Sequence, residues 1–140
     1  YYFNMKPVTH SPEGLHLIGG LYLEALDRME IRPAAIGGLT MGADPIAVAV
    51  ALASFRKPPP VEAFVIRKEP KAHGMALQLE GHVREGDTVV IVDDVVTTGA
   101  STLKAIDVAE AQGVRILGVL VLLDREEQNG MNRIRERGYP

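Results

Sequence analysis

The sequence predicts an α/β domain in which a parallel, twisted sheet is flanked by helices. Three observations carry that expectation: short apolar runs at 34–38, 61–67, 88–92 and 115–124; segments of helical period between them; and Gly, Pro or Asp at most junctions. Strands built from continuous apolar residues need cover on both faces, and strands that alternate with helices pair in parallel. With 140 residues, nearly half of them hydrophobic, the chain suffices for one well-cored domain and is short for two. Residues 1–140 are therefore read as a single domain.

Each element has a local reason. Ser11 is an N-cap with Pro12 at the first helical position, and Leu15, Ile18, Tyr22, Ala25 and Met29 follow at helical spacing. AAIGG at 34–38 reads as a short buried strand, LTMGAD at 39–44 as a turn, and a second capped helix is expected from Asp44 and Pro45. KPPP at 57–60 forces an extended break before the strand at 61–67. Residues 68–81 mix charge, Pro and Gly without a period, which reads as a mobile or hairpin-like loop. A strand at 88–92, a helix at 101–112 closed by Gly113, and a strand at 115–124 complete the pattern.

The net charge of −3 comes without a block of like charge, so neither a nucleic-acid footprint nor a polybasic membrane patch is expected. The absence of cysteine removes disulfides, thiolate metal sites and cysteine nucleophiles, and fits a reducing cytoplasm. No signal peptide is visible, and the apolar runs are too short to span a bilayer.

The chemistry concentrates in VVIVDDVVTTGAST, residues 89–102. In open α/β sheets ligands gather beyond the carboxyl ends of the strands, where Asp93 and Asp94 are expected to fall. The residues that follow supply main-chain N–H groups, Thr and Ser hydroxyls and a glycine leading into a helix N-terminus, which suits a phosphate. Two carboxylates beside a phosphate site would repel the ligand unless it also carries hydroxyls or a divalent cation. A sugar phosphate satisfies both demands. The bland alternative is that the two acids end a strand and cap the next turn.

This stretch resembles the phosphoribosyl pyrophosphate (PRPP) signature of type I phosphoribosyltransferases, whose fold is Rossmann-like. Within that superfamily, YYFN at the start, RKEPKAHG at 67–74 and LDREEQNG at 123–130 resemble the orotate phosphoribosyltransferase family, and these landmarks occur in that family's order. The resemblance implies transfer of phosphoribose from PRPP to orotate with Mg²⁺, giving orotidine 5′-monophosphate and diphosphate, in a cytoplasmic homodimer with shared active sites. It implies that Asp93 and Asp94 hold the ribose hydroxyls, partly through Mg²⁺ or its waters. Val95, Val96, Thr97, Thr98, Gly99, Ala100 and Ser101 would wrap the 5′-phosphate. Arg67, Lys68, Lys71 and His73 would bring cationic donors to the diphosphate, with Lys71 and His73 in the catalytic set. Tyr2 and Phe3 would stack on the base, Arg125 would meet its carboxylate or ring oxygens, and Thr97 would place a hydroxyl near the base.

Two departures stand out. Where many members of that family carry a lysine in the turn at 39–44, this chain has Met41, leaving the main-chain N–H groups of 40–42 for an anion. The family's lysine upstream of the aromatic pair, and its final strand and helix, are not seen, so parts of both ends are expected to be lacking. Other classes fit poorly. No glycine-rich loop ends in Gly-Lys-Ser/Thr, and no G-x-G-x-x-G follows the first strand. A regulatory protein that senses PRPP has no need of the cationic loop. A purine or uracil phosphoribosyltransferase would not call for the aromatic pair and Arg125.

Overall fold

Ser11 opens the longest helix as expected: its Oγ accepts from the Gly14 N–H at 3.0 Å, with Pro12 in the first turn of α2 (Pro12–Arg28). The computed structural model describes residues 3–70 and 78–140, and Tyr2, Lys71 and His73 lie outside the described residues. Before α2 the sequence reading missed a single helical turn, α1 (Lys6–Thr9). Along α2, Ile18, Tyr22 and Leu26 recur every fourth residue and are buried with Leu23.

β1 (Ala35–Leu39) is buried throughout. α3 (Asp44–Ser54) starts where expected, but not by a side-chain cap. Asp44 instead lies inside the first turn, where its Oδ2 accepts from the Thr40 hydroxyl at 2.6 Å. β2 (Glu62–Ile66) follows the proline break and returns through the antiparallel β3 (Leu79–Gly81), so the hairpin-like reading holds at the base of the 68–81 segment. β4 (Thr88–Val96), α4 (Ala100–Ala111), β5 (Arg115–Asp124) and α5 (Gly130–Arg135) complete the chain.

The sheet order is β3-β2-β1-β4-β5, parallel except for β3. Successive β4 side chains alternate between two cores. Val89 and Ile91 pack with Ala105, Ile106 and Ala109 of α4 on one face, while Val90 and Val92 pack with Ile18 and Leu26 of α2 and Ile46 and Val50 of α3 on the other. Burial of each such side chain contributes roughly 1.5–3 kcal/mol, which is why this run is apolar on both faces.

One boundary differs from the expectation and matters for function. β4 does not stop at Val92 but continues through the acidic pair to Val96. Its pairing with β1 ends at Gly37 and Ile91, whereas its pairing with β5 runs on to Val96 and Asp124. The chain moves outward from β1 to β2 on one side and from β4 to β5 on the other. The β1/β4 boundary is thus the point where the winding reverses, and a crevice opens there at the carboxyl ends of the strands.

Candidate active site

Asp93 and Asp94 are neighbours in the chain but occupy different environments. A strand alternates its side chains, so one acid turns inward when the other turns out. Asp93 is 4% exposed. Its Oδ2 accepts from the Ser101 hydroxyl at 2.6 Å and the Thr102 hydroxyl at 2.9 Å, and its Oδ1 accepts from the Asp94 N–H at 2.9 Å. Burial pushes the Asp93 carboxyl up to about 6; the Ser101 and Thr102 hydroxyls pull it down, and the charge of Asp94 adds to the rise. Asp93 therefore ties β4 to the first turn of α4. Asp94 is half-buried, its Oδ1 accepts from the Val95 N–H at 2.8 Å, and its Oδ2 takes no hydrogen bond from the described residues.

The turn after β1 approaches the pair closely. A β-carbon on Gly42 would lie 2.5 Å from Asp94 Oδ1 and 3.1 Å from Asp93 Oδ1, so any other residue there would displace the Asp94 carboxylate from its present position.

Asp94 is the wall shared by two clefts. On the β5 side a cleft of about 500 Å³ is lined by Phe3, Asp94, Val95, Thr97, Arg125, Glu127 and Gln128. On the β1 side one of about 330 Å³ is lined by Asp93, Asp94, Ser101, Lys68, Leu39, Thr40, Met41, Gly42 and Pro45, together with Lys6, Thr9 and His10 from the amino-terminal segment. The first offers an aromatic ring and a guanidinium; the second offers main chain, hydroxyls and ammonium groups.

The expected site residues sort accordingly. Phe3, Thr97 and Arg125 come together on one side of Asp94, and Lys68, Asp93 and Ser101 on the other. The Arg125 side chain is only 12% exposed and its Nη2 lies 2.9 Å from Glu127 Oε1, while its main-chain N–H donates to the Val96 carbonyl. It is not a solvated surface ion pair. Arg67 lines neither cleft; its guanidinium faces Glu80 across the hairpin at 3.9 Å. The Val96 side chain is in the core, which leaves only its main chain for a ligand. The Ser101 hydroxyl, expected in the phosphate loop, donates to Asp93 in this structure.

The loop itself is held by main chain. Gly99 has φ +81° as it enters α4, and the Thr98 Oγ1 accepts from the Ala100 N–H at 3.2 Å. Gly99 packs against Gly130 at the start of α5: a β-carbon on Gly99 would lie 2.9 Å from the Gly130 carbonyl, and one on Gly130 would strike the Thr97 carbonyl. Arg133 donates to the Thr98 carbonyl at 2.9 Å.

Two residues near the pair escaped the sequence reading. Thr102 lies one position beyond the expected loop, where the polar run after the glycine was the available signal. Tyr22 is an apolar-face residue whose buried hydroxyl finds no partner among the described residues. Burial, then the charges of Asp93 and Asp94, push its phenol well above the ordinary range, so it is a neutral group beside the acids.

A Rossmann-like sheet with an acidic pair at its switch point, a glycine-hydroxyl loop entering a helix, and two clefts meeting at one carboxylate define a phosphoribosyltransferase. A model of the phosphoribosyl transferase domain matches residues 5–137. The orotate phosphoribosyltransferase of Aquifex aeolicus is 46% identical over 140 residues, all of this chain and 75% of that protein. That of Rhodopseudomonas palustris (strain BisB18) is 48% identical over 132 residues, 91% of this chain and 69% of that protein. The crystal structure of Mycobacterium tuberculosis orotate phosphoribosyltransferase in complex with PRPP superposes with a TM-score of 0.85 at 32% identity, covering 99% of this chain and 76% of that one. The chain belongs to the orotate phosphoribosyltransferase family.

Proposed function

We infer that this protein transfers the 5-phosphoribosyl group of PRPP to orotate, forming orotidine 5′-monophosphate and diphosphate in pyrimidine (UMP) biosynthesis. The observation that carries the reading is Asp94 standing between a cleft suited to a planar acid and a cleft suited to an anion. A ribose seated at Asp94 has its anomeric carbon between the two, with the base on the β5 side and the diphosphate on the β1 side.

In the reaction the bond from the anomeric carbon to the diphosphate oxygen breaks, and a bond to the orotate ring nitrogen forms as the proton of that nitrogen passes to the departing diphosphate or to solvent. Bond breaking runs ahead of bond making, so positive charge develops on the sugar and negative charge on the diphosphate. The Asp94 carboxylate stabilises the first. Lys68, the main-chain N–H groups of Met41 and Gly42, and Lys71 and His73 by resemblance, stabilise the second, whereas the Thr40 N–H expected to join them is taken by the Ile66 carbonyl at 2.8 Å. Arg125 pairs with the orotate carboxylate while Phe3, and Tyr2 by resemblance, stack on the ring. The 97–101 loop and the first turn of α4 present N–H groups to the 5′-phosphate.

The donor set fits Mg²⁺ as the family resemblance implies. No group of three metal-ligating side chains gathers among the described residues, so Asp93 and Asp94 would hold a cation indirectly, through water or PRPP oxygens. Bound there, Mg²⁺ supplies charge neutralisation for the departing diphosphate.

A homodimer with shared sites belongs to the same reading. Leu17 and Leu21 on α2, and Val48, Leu52 and Phe55 around α3, are exposed large apolar side chains that a second copy would cover. The absence of cysteine supports a cytoplasmic setting. No described helix is long and apolar enough to cross a membrane.

The test is orotate consumption followed by absorbance with PRPP and Mg²⁺, with uracil and adenine as competing bases and Lys71→Ala beside the parent. Orotate-specific turnover that collapses in Lys71→Ala is expected. Turnover of uracil or adenine in preference to orotate would overturn the base assignment.

A further inference from the structure

The β1-side cleft contains two carboxylates, and the turn that closes it carries Met41 where it has no charge to offer. Yet the proposed function, on which this inference rests, seats a polyanion there. Among the described residues that line the cleft, the ammonium groups are those of Lys68 and Lys6.

Lys6 comes from α1, a turn seated firmly enough to place it. Thr9, at the other end of that turn, is buried; its hydroxyl donates to the Met5 carbonyl at 3.3 Å and lies 2.9 Å from His10 Nδ1. The Lys6 N–H donates to Asn4 Oδ1 at 3.1 Å. Lys6 and His10 are four positions apart, share one side of the turn, and both line the cleft. The Lys6 ammonium makes no ion pair or hydrogen bond with any described residue. Arg28, Arg32, Arg67, Arg125 and Arg137, by contrast, each face a carboxylate. A cation that lines the cleft without pairing to a described carboxylate is available to an anionic ligand seated there.

We propose that Lys6 binds the diphosphate group of the phosphoribosyl donor, supplying from the amino-terminal helical turn the positive charge that the turn at Met41 does not. A flexible ammonium lining the same cleft as Lys68 would grip the group in the donor and in the released product alike.

The experiment measures inorganic diphosphate binding by calorimetry, in the presence of Mg²⁺, for the parent, Lys6→Ala and Lys6→Arg, alongside KM for PRPP and for orotate. Losing one charge-assisted contact is expected to weaken diphosphate binding and raise the KM for PRPP by about tenfold, with the KM for orotate unchanged. Lys6→Arg should recover most of both. Unaltered diphosphate binding in Lys6→Ala, or equal losses in Lys6→Ala and Lys6→Arg, would overturn the proposal. If the parent binds diphosphate but consumes no orotate, the base assignment fails, and the binding arm still decides the role of Lys6.

Discussion

The two clefts that meet at Asp94 are built from different materials. On the β1 side the wall is mostly turn and helix end: Thr40, Met41 and Gly42, the start of α4 at Ser101, and ammonium groups from Lys6 and Lys68. On the β5 side it is side chain, with the Phe3 ring, the largely buried Arg125 guanidinium and the Thr97 hydroxyl. Main chain and ammonium groups bind charge without much regard to shape. A ring and a planar fork recognise shape and charge together. Recognition of the base and retention of the anion are thus assigned to opposite banks, and the sugar joins them through one carboxylate.

The sharpest way to break this division is at Asp94. Asp94→Asn removes the charge facing the developing cation and should lower kcat by about a thousandfold, with both substrates affected, as steady-state kinetics with each varied in turn would show. A loss confined to one substrate would mean that Asp94 belongs to one bank only. Arg125→Ala should act on one bank, raising the KM for orotate by about tenfold to a hundredfold while the KM for PRPP holds. Equal changes in both would contradict the separation.

Asp93 tests what lies behind the division. Thr102→Val deletes a buried hydroxyl from its carboxylate and should cost roughly 1–3 kcal/mol in urea unfolding, with a smaller loss of kcat than Asp94→Asn. The smallest effect is one of pH. Burial raises the Asp93 carboxyl to about 6 from an ordinary 3.8, so the fold prefers its protonated form. That contribution to stability is complete below pH 3.8 and is lost as pH rises through about 6. The Tm of Asp93→Asn relative to the parent should therefore climb between about pH 3.8 and about 6 and level off above that. A difference that stays flat across that range would show Asp93 to be ionised without penalty.

Much of this was legible because local chemistry and global fold agree at the relevant positions. Ser11 followed by Pro12, the apolar run before the acids, and Gly113 after α4 each have a local signature that the tertiary structure respects. The acidic pair, Phe3, Thr97, Lys68 and Arg125 were found by motif and fall around the same crevice. What escaped depends on partners distant in sequence. β4 outlasts the apolar run because β5 continues to pair with it, which no window around Asp93 reveals. The inequality of the two acids follows from strand alternation carried past that assumed end. α1 was missed because a single turn leaves no period to detect, and with it went the placement of Lys6 and His10 on the cleft. Arg67 reads as one more cation of the loop, and only the pairing of β2 with β3, which sets Glu80 opposite Val65, brings Glu80 within 3.9 Å of the Arg67 guanidinium.

The contact between Gly99 and Gly130 also governs when the site can come into being. The loop that follows the acidic pair takes its shape against a glycine that the ribosome adds much later, and Arg133, later still, secures the Thr98 carbonyl. An emerging chain can pair β1 with β4 and bury Val90 and Val92 against α2 and α3 while this loop still lacks its support. During synthesis the strand that bears the carboxylates thus precedes the loop beside them, and the nascent protein has its acids before it has a finished anion cradle.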